Sequence, residues 1–291
     1  MNKQGEHVCG AASFVQAKAE VVFHEAVSSR YFLLRLKCAE IAHRAEPGQF
    51  VMLACAPDGY GGEPLLPRPL AILDARGDEI ELLYFVAGRG TEILRRTAED
   101  AVRGGANSSG TMLRIIGPLG RGFTPVHGVD THIVLGGGSG VAPMVFFLRR
   151  YAETRPNSWH LILAARSADQ LARQDVTHTL GRMHPATDDG SAGFRGNAVD
   201  AMKMLLSGEL KGRRAAIYAA GPEPMMKAAA RVAREAGLPA RVSLEAQMAC
   251  GVGVCRACVV DGNTPHQKTG LLRRTVCQDG PVFDIDELAG W

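Results

Sequence analysis

Four cysteines in the last part of the 291-residue sequence carry its clearest chemical signal. Cys250, Cys255 and Cys258 follow the spacing C-x4-C-x2-C, and Cys277 follows after a longer interval. This spacing is typical of plant-type [2Fe–2S] clusters, in which four thiolates hold two irons. Glycines between the first two cysteines let backbone N–H groups turn toward the sulfurs. The alternatives are a structural zinc site, which favours paired C-x2-C motifs, or four thiols without a metal.

A second pattern is a short apolar strand that runs into a glycine-rich turn and then a helix. After Ile133–Leu135, the turn comprises Gly136, Gly137, Gly138, Ser139 and Gly140. Such glycines let a diphosphate approach the backbone, and the helix N-terminus offers unpaired N–H groups. The G-x-G-x-x-G fingerprint is incomplete, because Pro143 occupies its last position. A close contact between helix and strand is therefore the alternative interpretation.

Two other strand ends carry candidate nucleotide-binding residues. Ala220, Gly221 and Pro222 follow the apolar strand Ala215–Tyr218, and Arg166 follows the strand Trp159–Ala165. Open parallel sheets bind ligands at the carboxyl ends of their strands. Because the second strand ends in Arg-Ser and not in an acid, Arg166 could hold the 2′-phosphate of NADP(H). The alternative for the first segment is a plain strand-to-helix turn with proline at the helix start.

Two short motifs in the first part of the chain can bind phosphate. One is the run Arg68, Pro69, Leu70 and Ala71, and the other is the pair Gly90 and Thr91. An arginine fixed beside proline can clamp a phosphate, and a Gly-Thr pair that opens a helix can bind a second one. A solvated arginine and an ordinary capping threonine are the alternatives.

The elements that must position these residues change in type along the chain. Short strands before about residue 128, with one helix over 91–98, favour an antiparallel barrel. Strands that alternate with helices follow, with helices expected over 141–151, 168–174, 198–206 and 224–235, and they favour a parallel sheet. The last part is rich in cysteine and glycine. We therefore predict a barrel domain over 1–128, an α/β nucleotide-binding domain over 129–243 and a cluster-binding domain over 244–291.

Composition and charge exclude several classes of protein. The chain has 33 Lys and Arg against 30 Asp and Glu, a balance too even to indicate nucleic acid or an anionic membrane as a partner. The longest apolar stretch, over 133–148, contains glycines and a proline and predicts a buried strand and helix. The first seven residues are polar and do not resemble a signal peptide. An odd count of 7 cysteines, four of them clustered, favours a metal site in the reducing cytoplasm.

Together and in this order, the motifs resemble the ferredoxin–NADP reductase superfamily. More narrowly, they resemble the electron-transfer subunits of NAD-dependent (class 1B) dihydroorotate dehydrogenases, over about residues 14–285. Further matching segments are Gly117–Phe123, Thr187–Gly196, Met248–Cys255 and Val276–Phe283.

The resemblance implies an oxidoreductase subunit with FAD, a [2Fe–2S] cluster and NAD(H) as cofactors or substrate. It places FAD on Arg68–Ala71 and on Gly90 and Thr91, with the flavin lined by Leu83, Tyr84 and Phe85. NAD(H) would lie over the glycine-rich turn and the segment 220–222, and no side chain is expected to act as a general acid or base. The implied partner is an FMN-containing catalytic dihydroorotate dehydrogenase subunit, in a heterotetramer that serves pyrimidine biosynthesis.

Three departures separate the chain from the family pattern. Ala71 stands where the family has Ser, and Ala220 stands where it usually has Cys. We expect slower or retuned hydride transfer from these changes, and not its loss. The third departure is the insert before Cys277, which contains Arg273 and Arg274 and suggests an altered partner-facing rim or only a flexible loop.

Other functions remain open at this stage. One is a related reductase subunit that serves a ferredoxin:NADP oxidoreductase, a sulfide dehydrogenase or a hydrogenase. Two others belong to different classes: an electron carrier without nicotinamide chemistry, and a zinc-stabilised binding module.

Overall fold

The structure is a computed structural model that describes residues 14–57, 64–104, 110–153, 156–172, 181–267 and 269–291. Cys9 and the end of the helix expected over 168–174 lie outside these ranges. Within the described part, no helix is long and apolar enough to cross a membrane.

The first half of the chain folds as a closed antiparallel barrel, in the order β1-β2-β5-β4-β3-β6. Its strands are β1 (Val15–Ala26), β2 (Tyr31–Lys37), β3 (Phe50–Leu53), β4 (Arg68–Arg76), β5 (Glu79–Phe85) and β6 (Met112–Leu119). Two helices accompany them, α1 (Ala39–Ala42) and α2 (Arg89–Arg103). The predicted barrel is confirmed, and its helix starts two residues earlier and runs longer than the sequence pattern indicates.

The β2 strand explains why one wall of the barrel is buried on both faces. Successive side chains of a strand point to opposite faces. Leu34 and Leu36 accordingly pack in the barrel core, whereas Tyr31 and Leu33 pack with the α/β part of the molecule. The barrel wall is therefore shared between two hydrophobic cores, which fixes the relative position of the two parts.

The second half is built on a seven-stranded sheet in the order β10-β9-β8-β7-β11-β12-β15. The strands are β7 (Thr131–Gly137), β8 (Trp159–Ala165), β9 (Arg182–Thr187), β10 (Phe194–Arg195), β11 (Ala215–Ala220), β12 (Ala240–Ser243) and β15 (Val282–Asp284). The helices are α3 (Val141–Tyr151), α4 (Ala198–Ser207) and α5 (Glu223–Glu235). All strand pairs in this sheet are parallel except β12 with β15, so the predicted α/β class is confirmed.

The helix expected over 168–174 is a shorter element in the structure. Ala168–Gln170 forms a single 3-10 turn, and the chain is extended again at Leu171. The apolar residues Leu171 and Ala172, which suggested a longer helix, are buried in the core without being helical.

The cysteine-rich segment adds a small antiparallel hairpin, β13 (Val259–Asp261) with β14 (Arg273–Thr275). The segment then returns to the α/β sheet, where β15 pairs with β12. The last strand of the cysteine-rich part is thus an edge strand of the nucleotide-binding sheet, and this pairing holds the cysteines close to the rest of the molecule.

Ion pairs also connect the barrel to the α/β part. Arg149 on α3 donates to Asp74 of β4 at 2.6 Å and to Glu81 of β5 at 3.3 Å. Burial raises the pKa of Glu81, but Arg35 and Arg149 lower it further, so the net pKa lies below the usual value. The carboxylate stays charged in this half-buried junction.

Candidate functional site

A cavity of about 290 Å³ lies where the barrel, the α/β sheet and the start of the cysteine-rich segment meet. Most of the sequence-predicted FAD residues line it, together with part of the predicted nucleotide turns. These residues are Arg68, Pro69, Leu70, Ala71, Leu83, Tyr84, Phe85, Thr91, Ser139, Gly140, Ala220 and Gly221. Gly90, Gly136, Gly137, Gly138, Arg166 and Pro222 were also predicted, and they do not line the cavity itself.

Arg68 is the first residue of β4, and its side chain lies against the start of α2. A diphosphate bound there would meet unpaired N–H groups of the helix N-terminus. Arg68 Nη1 donates to the carbonyl of Leu66 at 2.7 Å, which fixes the guanidinium beside the helix. A Cβ at Gly90 would displace this guanidinium, so glycine lets the guanidinium lie close to the helix backbone. A fixed cation next to a helix N-terminus is a fitting site for a dinucleotide diphosphate.

Thr91, which the sequence pairs with Gly90 as a candidate phosphate-binding motif, bonds to the backbone of the turn before it. Its Oγ1 accepts hydrogen bonds from the N–H groups of Ala87 at 2.9 Å and Gly88 at 3.2 Å. The same hydroxyl donates to the carbonyl of Gly88 at 3.1 Å. The threonine therefore closes the turn that starts α2, where the sequence predicts a phosphate site.

The strand residues Leu83, Tyr84 and Phe85 divide between the two faces of β5. Leu83 and Phe85 pack with the α/β core and face the cavity region. Tyr84 packs in the barrel core, where its hydroxyl lies 2.8 Å from Nε2 of His24. Burial raises the pKa of Tyr84 far above its usual value. All three residues border the cavity, and Leu83 and Phe85 are the two whose side chains pack on the α/β side of the strand.

The two nucleotide turns touch each other across the end of the sheet. β7 ends at Gly137, a 3-10 turn spans Gly138–Gly140, and α3 begins at Val141. A Cβ at Gly140 would collide with the backbone of Ala220 at the end of β11. Part of the glycine pattern is thus explained by the contact between the two turns, independently of any ligand.

A carboxylate that the sequence pattern did not reveal also lines this cavity. Glu245 is exposed, and its Oε1 accepts a hydrogen bond from the hydroxyl of Ser139 at 2.7 Å. Ala71 and Ala220 line the same cavity without a polar side-chain atom. The only sequence signal for Glu245 was its place in the short segment between β12 and the first cluster cysteine.

The end of β8 also holds an acid that the sequence pattern did not place there. Arg166 is exposed, and its carbonyl accepts from the N–H of Asp189 at 3.2 Å. Beside it, Ser167 donates to Asp169 Oδ1 at 2.5 Å, and Ser29 of the barrel donates to Oδ2 of the same carboxylate at 2.6 Å. The Asp169 carboxylate therefore lies close to the end of β8, where a negative charge disfavours a 2′-phosphate.

Among the four cluster cysteines, Cys250 contacts Cys255 and Cys258 contacts Cys277, and Cys250 is also close enough to Cys277 to affect its charge. Within the described ranges, no three or more His, Cys, Asp or Glu side chains converge as they would on a single metal ion. A [2Fe–2S] cluster would take all four of these thiolates, and it would supply single-electron transfer there.

Backbone N–H groups of the loop point at the sulfurs. Val252 and Cys255 donate to Cys250 Sγ at 3.4 Å, and Gly253 donates to Cys277 Sγ at 3.2 Å. The loop turns through left-handed backbone at Gly251, with φ +70°, and at Gly253, with φ +83°. This is the arrangement that a negatively charged cluster requires, so the residues present fit it.

The pKa values of the thiols follow from the same geometry. Burial raises the pKa of Cys250, but the N–H groups of Cys255 and Val252 lower it more, to about 7. Burial and the neighbouring Cys258 raise the pKa of Cys277 to about 12. Cys258 and Cys277 are buried and Cys255 is exposed, so one edge of the cluster site faces solvent.

Two family models match the parts of the chain that hold these sites. Residues 134–231 match the oxidoreductase NAD-binding domain. Residues 245–289 match the iron–sulfur cluster binding domain of dihydroorotate dehydrogenase B.

Solved structures share the fold. A chain of an NADH-dependent reduced ferredoxin–NADP oxidoreductase aligns with a TM-score of 0.74 and 27% identity, over 93% of this chain and 89% of that one. A ferredoxin reductase of carbazole 1,9a-dioxygenase aligns with a TM-score of 0.59 and 21% identity, over 78% of this chain and 67% of the other. The molecule is therefore a reductase-type oxidoreductase with an additional iron–sulfur domain.

Curated relatives define the family more narrowly. The dihydroorotate dehydrogenase B (NAD(+)) electron transfer subunit of Desulforamulus reducens is 33% identical, with 91% of this chain and 95% of that protein covered. The corresponding subunit of Bacillus velezensis is 32% identical, with 94% and 99% covered. The chain belongs to the family of dihydroorotate dehydrogenase B (NAD(+)) electron transfer subunits. The oxidoreductase class and the cofactor set predicted from the sequence are thereby confirmed, whereas the individual cofactor-binding residues stay predictions.

Proposed function

We propose that this chain transfers electrons between NAD(H) and a partner flavoenzyme, through FAD in the cavity and a [2Fe–2S] cluster on the four cysteines. One observation carries the proposal. Barrel strands, both nucleotide turns and the segment that includes Glu245 and Met248 line a single cavity, and Met248 lies two residues before Cys250. The proposed FAD and NAD(H) sites thus share one cavity, and the first cluster cysteine lies two residues from its lining.

When bound, FAD supplies the conversion between hydride transfer with a nicotinamide and single-electron transfer with a cluster. Arg68 and the N-terminus of α2 would hold the FAD diphosphate, while Leu83 and Phe85 exclude water from the ring. The N–H groups of Val252, Gly253 and Cys255 would stabilise negative charge on the cluster sulfurs. The proposal requires no side chain as a proton donor or acceptor.

NAD(H) is the proposed nucleotide in preference to NADP(H). Asp169 lies against Ser167 at the end of β8, and its carboxylate would repel a 2′-phosphate and accept a hydrogen bond from a ribose hydroxyl. The comparison of kcat/KM for NADH and NADPH tests this preference. We expect NADH to be favoured, and equal efficiencies would contradict it.

The three predicted domains remain a proposal, with one refinement. We keep the barrel over 1–128, the NAD-binding part over 129–243 and the cluster-binding part over 244–291, although β15 of the last part completes the sheet of the second. A cytoplasmic location also stays a prediction, supported by the six described cysteines, none of which forms a disulfide.

We further propose an FMN-containing catalytic dihydroorotate dehydrogenase subunit as the partner, in a heterotetramer. The names of the curated relatives support a catalytic partner, because they describe an electron transfer subunit of dihydroorotate dehydrogenase B (NAD(+)). The test is to purify the chain with and without a co-expressed catalytic subunit and to measure NAD+ reduction by dihydroorotate. We expect a rate only with both subunits, and its absence from a complex that holds all cofactors would contradict the proposal.

A second candidate partner is ferredoxin. The likeness to the NADH-dependent reduced ferredoxin–NADP oxidoreductase favours it, since that structure covers 93% of this chain. If the holoprotein reduces ferredoxin with NADH but gives no rate with dihydroorotate and the catalytic subunit, this candidate replaces the first.

A further inference from the structure

The turn between β1 and β2 crosses from the barrel to the α/β sheet. Ser29 donates through its N–H to the carbonyl of Asp169 at 3.2 Å and through its hydroxyl to the Asp169 carboxylate at 2.6 Å. Inside the turn, Ser28 Oγ accepts from the N–H groups of Arg30 at 3.2 Å and Tyr31 at 3.0 Å. These bonds hold the turn in a fixed position against the end of β8.

Tyr31 brings the same turn against the glycine-rich nucleotide turn. The tyrosine is buried, and its hydroxyl would lie 3.2 Å from a Cβ at Gly138, the first residue of the 3-10 turn. Its ring packs edge-on to Phe85 with centroids 5.8 Å apart. The barrel turn therefore forms a wall beside the helix N-terminus that the NAD-binding domain presents.

Arg30 is the charged residue of this wall. Its guanidinium stacks on the ring of Phe85, with Cζ 4.7 Å from the centroid, and Phe85 lines the cavity. The side chain is exposed, and none of the carboxylates in the described ranges pairs with it. A stacked guanidinium keeps its N–H groups free for an anion and loses little entropy when it binds one.

We propose that Arg30 binds the diphosphate of the nicotinamide dinucleotide, opposite the turn Gly138–Gly140. This inference rests on the proposed function, and it adds a residue of the barrel to the nucleotide site. FAD also carries a diphosphate, but Arg68 and the start of α2 already provide a site for it. The contact of Tyr31 with Gly138 and of Ser29 with Asp169 assigns this turn to the nucleotide side.

The test compares the holoprotein with its R30A and R30K variants. Isothermal titration with NAD+ gives the binding constant, and stopped-flow reduction gives the NADH dependence. We expect R30A to bind NAD+ about tenfold more weakly, as for loss of a charged hydrogen bond, and R30K to retain part of the affinity. Lys37→Ala removes an exposed charge at the far end of β2 and should change neither value.

Two additional readouts separate the proposal from its alternatives. Reduced nicotinamide riboside carries no phosphate, so its rate of reaction should be equal in R30A and the unchanged protein. Equal NAD+ affinity in R30A overturns the inference, as does a loss of bound FAD, which would assign Arg30 to the flavin diphosphate. If NADH fails to reduce even the unchanged holoprotein, the proposed function fails as well.

Discussion

The cluster loop and the nucleotide cleft reach their chemistry by opposite routes. The cluster loop uses side chains of one type at fixed spacing, four thiols within a short part of the chain. The nucleotide cleft is the cavity described above, and it is lined by backbone turns that follow β7 and β11, by Arg68 of the barrel and by the segment that follows β12. Iron requires particular ligand atoms, whereas a diphosphate can be held by N–H groups that every residue except proline has.

This difference predicts how each region responds to substitution. A thiolate has no substitute in the neighbouring residues, so a single change should abolish the cluster. In the cleft, several weaker contacts share the binding of each nucleotide, so single changes should weaken it by measurable factors. The predictions below run from the largest expected effect to the smallest.

Cys255→Ser should abolish the [2Fe–2S] cluster and leave FAD in place. The serine hydroxyl is a poor ligand for iron, and Cys255 is exposed, so the change should not disturb the core. Visible absorbance and iron analysis after anaerobic reconstitution measure the result. Cys38→Ala, at a buried cysteine of the barrel, is the control, and a full cluster in Cys255→Ser would contradict the ligand assignment.

Arg68→Ala should weaken FAD binding by about tenfold or more, because it removes a charged hydrogen-bond donor from the start of α2. The fraction of FAD retained after dialysis, together with the FAD binding constant, checks this. Arg76→Ala, at the other end of β4, should retain FAD. Unchanged FAD affinity in Arg68→Ala would contradict the proposal that Arg68 binds the FAD diphosphate.

Gly140→Ala should destabilise the protein by about 1–3 kcal/mol, since the new Cβ would overlap the backbone of Ala220. Chemical unfolding of the holoprotein measures this change. Gly88→Ala is the matched control, because no atom lies within 4 Å of a Cβ there. Equal stability of the two variants would show that the turns do not need the close contact.

Ala71→Ser and Ala220→Cys should accelerate flavin reduction by NADH by a few-fold at most. Both restore a polar or polarisable group that the family pattern has beside the hydride path, at positions that line the proposed cofactor cavity. Stopped-flow spectroscopy at the flavin band measures the rate, with Ala75→Ser on the same strand as control. If the double variant has an unchanged rate, the two alanines do not limit hydride transfer.

Prediction from the sequence succeeded where the spacing of apolar residues alone determines whether a segment is a strand or a helix. The barrel, the parallel sheet and the helices over 141–151, 198–207 and 223–235 follow from apolar patterns of period two or near four. The sequence could not reveal contacts between distant segments. Glu245 meets Ser139, and Ser29 meets Asp169, only because the fold brings their segments together.

For the predicted flavin residues, the structure shows side-chain orientations that the motifs alone do not contain. Tyr84 was grouped with Leu83 and Phe85, but strand alternation turns its ring into the barrel core. Thr91 closes a turn through its hydroxyl, which a motif of two letters does not distinguish from a phosphate contact. The motifs point to residues that line one cavity, and the geometry of strand and turn determines which atoms face it.

An anaerobic visible-absorbance titration of the purified holoprotein with NADH tests the central claim most directly. If the cavity and the cysteine loop form one electron path, NADH should bleach the flavin band and the iron–sulfur band together. If both chromophores are present and dithionite reduces them, but NADH leaves the iron–sulfur band oxidised, the account of a continuous path from nucleotide to cluster is contradicted.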